Sequence, residues 1–147
     1  MADSINLKIT TPEHVVFEGQ VDEVVLPTEM GEIGILPHHI PMVALLKAGE
    51  VRVRQGHKSL SLAVSGGFIE VQPKQVIVLA DTAEHAADID EERAEEARKR
   101  AEEIAKTKRV DAEDYAHVAA NLEKELARLR VVRKHRTHHQ TRAETIQ

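Results

Sequence analysis

Nine histidines and no cysteine stand among the 147 residues, so imidazole and carboxylate groups are the candidate metal ligands. His38 and His39 are adjacent, and neighbours on a strand point to opposite faces, so this pair cannot chelate one ion. His135 and His139 share a face only if a helix continues that far. We therefore expect structural or interface roles for the histidines and no metal site.

Two further patterns are weak candidates for chemistry. Gly31 and Gly34 are spaced as in a phosphate loop, but no Lys-Ser/Thr pair follows them and no helix is predicted there. Ser61 and Ser65 lack the context of a nucleophile elbow. Because no acid–base pair or activated nucleophile emerges, the sequence predicts a protein that is not itself an enzyme.

The elements that carry these residues divide the chain in two. All glycines and prolines lie within residues 12–73, and the last 74 residues contain neither. Short alternating runs separated by turn residues predict an N-terminal antiparallel β-sandwich of about ten strands over residues 1–87. A C-terminal two-helix antiparallel hairpin is predicted over residues 88–134, so the fold class is α+β.

The predicted helices have apolar stripes of unequal strength. Asp88 is the expected cap of the first helix, with Glu91 three residues later, and Asp111 is the expected cap of the second, after a turn at residues 106–109. The first stripe is mostly alanine and the second is mostly leucine and valine. The stripes are Ile89, Ala94, Ala97, Ala101, Ile104 and Ala105, then Tyr115, Val118, Ala119, Leu122, Leu126, Leu129 and Val132.

Charge is distributed unevenly along the hairpin. Residues 88–103 carry eight acids and four bases, whereas residues 124–142 carry seven bases and one acid. The basic stretch suits an acidic partner, a phosphate-bearing ligand or simply water. Only 2% of residues are aromatic, which disfavours nucleic-acid binding. Residues 135–147 have no apolar period, so we expect a basic, histidine-rich and disordered tail.

Three stretches, residues 26–41, 64–73 and 76–94, carry a resemblance to a known family. They include Gly31-Glu32-Ile33-Gly34-Ile35-Leu36-Pro37-His38-His39-Ile40-Pro41 and Val64-Ser65-Gly66-Gly67-Phe68-Ile69-Glu70-Val71-Gln72-Pro73. The chain resembles the epsilon subunit of bacterial F-type ATP synthases over residues 5–134, and these three stretches are the most specific part of the resemblance. The resemblance implies a non-catalytic central-stalk subunit that couples rotation of a proton-driven ring to ATP synthesis and inhibits ATP hydrolysis through its helices.

The family also implies partners and a location. These are the gamma subunit, the ring of c subunits and, when the hairpin is extended, the alpha and beta catalytic subunits. By resemblance Glu29, Glu32 and His39 would face the c ring. An acidic beta-subunit segment would meet the basic residues Lys124, Arg128, Arg130, Arg133 and Lys134. Because no apolar run approaches ~20 residues, we expect a peripheral protein on the cytoplasmic face of the bacterial inner membrane.

Some family members bind ATP on the folded hairpin, although no cofactor is required. The resemblance carries this regulatory site to Ile89, Asp90, Arg93, Ala94, Arg100 and Arg128, and Lys124 departs from the arginine that ATP-binding members have. Converging guanidinium groups can hold phosphates. The plainer alternative is an intrahelical pair between Asp90 and Arg93. A stand-alone ATP-sensing module is the alternative function.

Overall fold

The computed structural model describes residues 3–107 and 112–144. Eight strands precede a short 3-10 turn (Ala86–Asp88) and two helices, which confirms the predicted α+β class. The helices are α1 (Glu91–Thr107) and α2 (Ala112–Glu144). The strands are β1 (Ile5–Thr10), β2 (Val15–Val21), β3 (Glu23–Thr28), β4 (Gly31–Ile35), β5 (Met42–Leu45), β6 (Gly49–Gln55), β7 (Lys58–Val71) and β8 (Gln75–His85).

The strands follow the order β2-β1-β8-β7-β6-β3-β4, and β5 also pairs with β7. Every pair is antiparallel except β1 with β8. The first part of β7 pairs with β6 and its last part with β5. The long strands β7 and β8 therefore belong to both layers of the sandwich, and alternate side chains such as Leu7, Val53, Leu62 and Val78 fill the core between the layers.

A pair of glycines accounts for one of the strands by which the observed eight fall short of the expected ten or so. Residues 60–64 and 68–71 are alternating runs separated by glycines in the sequence, but they are halves of one strand, β7, because Gly66 and Gly67 bend it without ending it. Both have positive φ, 57° and 119°. A Cβ at Gly67 would collide with the carbonyl oxygen of Leu79 on β8. Only glycine allows this close approach of the two strands.

The start of the first helix differs from the expectation. Asp90, not Asp88, is the cap, since its Oδ1 accepts a hydrogen bond from the Arg93 backbone N–H at 3.1 Å. Ile89 is extended (φ −75°, ψ 122°) and its side chain is buried, which separates the 3-10 turn from α1. Asp90 and Arg93 thus make a backbone cap and not the side-chain pair considered above. The predicted cap Asp111 lies outside the described residues, as do positions 108–109 of the predicted turn.

The C-terminal segment also differs. Residues 135–144 continue α2 without a break, which corrects the expected disordered tail for that part of the chain. Nothing in the sequence ends the helix there, because the last 74 residues contain no glycine or proline. Arg136 also bonds to Glu91 of α1 at 2.9 Å. Over the residues described, neither helix has an apolar stretch long enough to cross a membrane.

We predict that Gly67→Ala lowers the free energy of unfolding by about 3 kcal/mol or more, because it adds a collision to the strain of a positive φ. Gly31→Ala is the matched control. Its φ of 110° is similar, but a Cβ there would meet nothing within 4 Å. It should cost about 1 kcal/mol. Urea denaturation followed by circular dichroism measures both, and equal losses would contradict the close-approach argument.

Candidate functional site

The hairpin packs on the sandwich with α2 between α1 and the sheet. Arg128 and Lys134 reach acids of the sandwich, whereas Arg133 and Arg136 reach acids at the start of α1. The second pairing joins the end of α2 to the start of α1, so the helices are antiparallel. Because α2 is covered on two sides, four of its residues are buried: Glu125, Ala127, Leu129 and Val131.

This two-sided burial changes the predicted stripes. Leu129 is buried as expected, but Tyr115 and Ile104 are 62% and 42% exposed. Sequence periodicity assumes one covered face, so Ala127 and Val131 were missed.

The apolar cluster that joins the hairpin to the sandwich is small. It consists of Ala63, Ala86, Ile89, Ala94, Leu129 and Val131, with Val132 against it.

Arg128 is the central polar contact between α2 and the sheet. Its Nε donates to Glu84 of β8 at 2.8 Å, and its Nη1 donates to Glu125 of α2 at 2.8 Å. Burial by itself would lower the pKa of Arg128, but the hydrogen bonds to Glu84 and Glu125 outweigh it and raise the pKa. The guanidinium therefore stays charged and cross-links the helix to β8.

More exposed ion pairs extend this contact. Lys134 Nζ lies 2.7 Å from Glu50 Oε2 on β6. Arg133 contacts Glu91 at 3.1 Å and Glu95 at 3.2 Å. Three of the five residues predicted to meet a beta subunit, Arg128, Arg133 and Lys134, are thus bound to acids of their own chain. No ion pair is recorded for Lys124 or Arg130 within the described part of the chain.

The residues predicted to bind ATP separate into two environments. Ile89 and Ala94 are buried in the apolar cluster between hairpin and sandwich, and Asp90 caps α1. Arg93 and Arg100 are exposed on α1, without a bound carboxylate among the residues described. Arg128 is already engaged by Glu84 and Glu125. Of the three predicted arginines, Arg128 is therefore held by acids of its own chain, whereas Arg93 and Arg100 are exposed on α1.

The residues predicted to face the c ring are also divided. Glu29 and Glu32 line a groove of about 430 Å³ under α2, together with Arg130 and Lys134. Arg52 holds Glu32 with two hydrogen bonds of 3.0 Å. These bonds lower the pKa of Glu32. His39 lies on the β4–β5 connection, where Nδ1 contacts the Ile40 carbonyl at 2.8 Å.

An apolar row on the outer face of the sandwich was missed from the sequence. Leu45 on β5 is opposite Phe68 on β7, which is opposite Leu79 on β8. All three are more than half exposed. A patch of large apolar side chains on neighbouring strands marks a protein contact surface. The alternating sequence predicted that one face of each strand is buried but could not tell that the other is also apolar.

The match to family models extends over both parts of this architecture. Residues 4–86 match the ATP synthase delta/epsilon chain beta-sandwich domain, and residues 87–133 match the long alpha-helix domain. The chain belongs to the ATP synthase delta/epsilon chain family. The predicted family is thereby confirmed.

Relatives of this family cover nearly the whole chain. The ATP synthase epsilon chain of Dehalococcoides mccartyi strain CBDB1 is 47% identical over 136 residues, which are 92% of this chain and 97% of the relative. That of Syntrophobacter fumaroxidans is 47% identical over 135 residues, covering 91% and 99%. The relatives are named as a subunit, in agreement with the expectation that this chain is not an independent enzyme.

Solved structures agree with the fold. A chain of the Euglena gracilis mitochondrial ATP synthase (OSCP/F1/c-ring) has a TM-score of 0.70 and 25% identity, covering 82% of this chain and 76% of that one. A chain of the Tetrahymena thermophila central stalk and c-ring has a TM-score of 0.59 at 13% identity and supports the fold alone.

We predict that Glu84→Gln speeds hydrogen exchange in the middle of α2 about fivefold or more, because one charged bond to Arg128 is lost while Glu125 remains. Glu18→Gln is the control, since Glu18 is an exposed acid on β2 without an ion pair among the described residues. Hydrogen–deuterium exchange read by mass spectrometry measures both variants. Equal protection of α2 would show that Arg128 does not hold the helix.

Proposed function

We propose that this chain is a rotor subunit that joins the catalytic head of a bacterial F-type ATP synthase to its proton-driven ring. In this proposal residues 1–87 couple the two, and the hairpin brakes ATP hydrolysis. The chain would be a peripheral protein on the cytoplasmic face of the inner membrane. Its family and its likeness to a chain of a solved F1/c-ring assembly support this role.

The observation that carries the braking role is the internal pairing of the basic residues of α2. Lys134 and Arg133 are 46% and 57% exposed in their ion pairs. Pairs this exposed contribute about 0–1 kcal/mol each. Three of the six buried residues of the apolar cluster beneath them are alanines, and each alanine methyl contributes roughly 0.8 kcal/mol. Folded and released hairpins would therefore differ by only a few kcal/mol, as a switch requires.

A released hairpin would offer the same cations to another acidic surface. Arg128, Arg133 and Lys134 would exchange Glu84, Glu91 and Glu50 for carboxylates of a catalytic beta subunit. Lys124 and Arg130 would add charge to that contact. The exchange conserves ion pairs, so its free energy depends mainly on the partner's position and on salt.

We assign the gamma subunit to the apolar row of Leu45, Phe68 and Leu79. A subunit that turns with its neighbour needs a lasting contact, and lasting contacts are built around buried apolar side chains. The polar turn of β3 and β4, with Glu29 and the 97% exposed Met30, is assigned to the c ring together with Glu32 and His39.

We predict that Phe68→Asp weakens binding to the gamma subunit by about thirtyfold or more, because a carboxylate would be buried in the contact. Met30→Asp should lower the affinity much less, since Met30 is exposed on the β3–β4 turn and is not a member of the row. Surface plasmon resonance with immobilised gamma subunit compares the two. Unchanged binding by Phe68→Asp would refute this surface.

Truncation after Ala87 should raise ATP hydrolysis by the assembled enzyme by roughly twofold or more, because the brake is removed. Glu84→Gln should act in the opposite direction, since it favours the released hairpin. A steady-state ATPase assay of the reconstituted complex measures the hydrolysis rate with each altered chain. Equal rates with the whole and the truncated chain would remove the braking role and leave the coupling role.

A regulatory ATP site on the hairpin is the second candidate function. The same site would serve a chain that acts alone as an ATP sensor. It is favoured by Arg93 and Arg100, which are exposed and contact no carboxylate of the described residues. ATP would have to displace Glu84 from Arg128. We predict that Arg93→Gln weakens ATP binding about tenfold. Arg98→Gln should not, because Arg98 is held by Glu95 and Glu102. Calorimetric titration with ATP measures the affinity of both variants. If the unaltered chain gives no heat with millimolar ATP, this site is excluded.

A further inference from the structure

Five of the nine histidines line one groove of about 1010 Å³ between the sandwich and the end of α2. We call it the histidine groove. They are His57, His85, His135, His138 and His139. They come from the β6–β7 turn, the end of β8 and the last turns of α2, so only the folded hairpin brings them together. Among the residues described, no cluster of three histidines or acids could hold a metal ion.

Permanent cations occupy both walls of the histidine groove. Arg52, Arg54 and Lys58 lie on the sandwich wall, and Lys134 and Arg142 lie on the α2 wall. No carboxylate is recorded beside Lys58 or Arg142 within the described residues. These two cations face the groove from opposite walls, where an anion could neutralise both.

The acids of the groove do not cancel this charge. Glu23 is bound by Arg54 at 3.2 Å. Glu50 is bound by Lys134 at 2.7 Å and lies 3.5 Å from Arg52. Asp88, in the 3-10 turn, is the third acid of the lining. Arg52 is also held by Glu32, which lies outside the lining. These three cations are therefore matched by acids, and Lys58 and Arg142 exceed the remaining acid of the lining, Asp88, by one charge.

The imidazoles make this charge depend on pH. Histidine gains a proton between about pH 8 and pH 5. The rings of His135 and His139 have centroids 4.7 Å apart, and two imidazolium ions so close repel each other. A bound anion would offset this repulsion and that from Lys58 and Arg142. His85 Nε2 lies 3.2 Å from the Val16 carbonyl oxygen, so this nitrogen carries a hydrogen and donates it to that oxygen.

We propose that the histidine groove binds an oligophosphate anion and that its affinity rises as the pH falls. Phosphate oxygens accept hydrogen bonds from imidazolium, ammonium and guanidinium groups alike. A chain of phosphates carries several anionic groups, so it can pair with more of the cations on the two walls than a single small anion can. Neither Arg93, Arg100 nor Arg128 lines the groove, so this site is separate from the proposed nucleotide motif.

Calorimetric titration of the full chain with tripolyphosphate at low ionic strength tests the proposal. We expect binding about tenfold tighter at about pH 6 than at about pH 8, because protonation of the histidines is coupled to binding. His138→Gln with His139→Gln should remove most of this difference. Lys58→Gln, on the opposite wall, should weaken binding at both pH values.

Two controls make the result specific. His117→Gln removes a histidine from the same helix outside the groove and should change nothing. Arg93→Gln should also leave tripolyphosphate binding intact. A parallel titration with ATP identifies the source of the phosphate chain, since ATP binding that depends on Lys58 and His138 supports a nucleotide occupant of this groove. No binding of tripolyphosphate at about pH 6, or equal binding by the groove variants, would overturn the proposal.

Discussion

The position of the hairpin depends on one guanidinium group. Arg128 joins α2 to β8 through Glu84 while Glu125 holds it from within the helix. The apolar cluster around this contact has only six buried residues, of which three are alanines and three are the larger Ile89, Leu129 and Val131. Because little apolar area is available, charge and hydrogen-bond geometry set where α2 lies on the sheet. The exposed pairs of Arg133 and Lys134 then follow from that placement.

This arrangement separates a part with a large aliphatic core from a part held by a small apolar cluster and ion pairs. The sandwich has a core of large aliphatic side chains, and its two layers share β7 and β8. The hairpin contacts it through small side chains and charges, which another acidic surface can replace. The apolar row of Leu45, Phe68 and Leu79 lies on the outer face of the sandwich. A partner on this row would therefore leave the hairpin free to move.

The helical boundary illustrates how far local sequence rules reach. The acidic start of α1 was recognisable from the sequence, but the cap is Asp90 and not Asp88. Ile89 is extended and packs in the apolar cluster, so the helix begins only after it. The absence of glycine and proline predicted helix after residue 88. The lack of an apolar period after residue 134 then suggested that the helix would end there, but α2 continues to Glu144, with Arg136 bonded to Glu91 of α1 and no glycine or proline to interrupt it.

The sequence by itself determined the two-module architecture, the family and the basic character of α2, because these depend on turn residues, periodicity and charge along the chain. Only the tertiary structure decided which acids neutralise those bases and that five distant histidines share one groove. It also decided that Arg128 is bound by carboxylates, while Arg93 and Arg100 meet none among the residues described. Such contacts join residues up to 84 positions apart, as Lys134 joins Glu50. Periodicity specifies that a face is covered, whereas packing specifies what covers it.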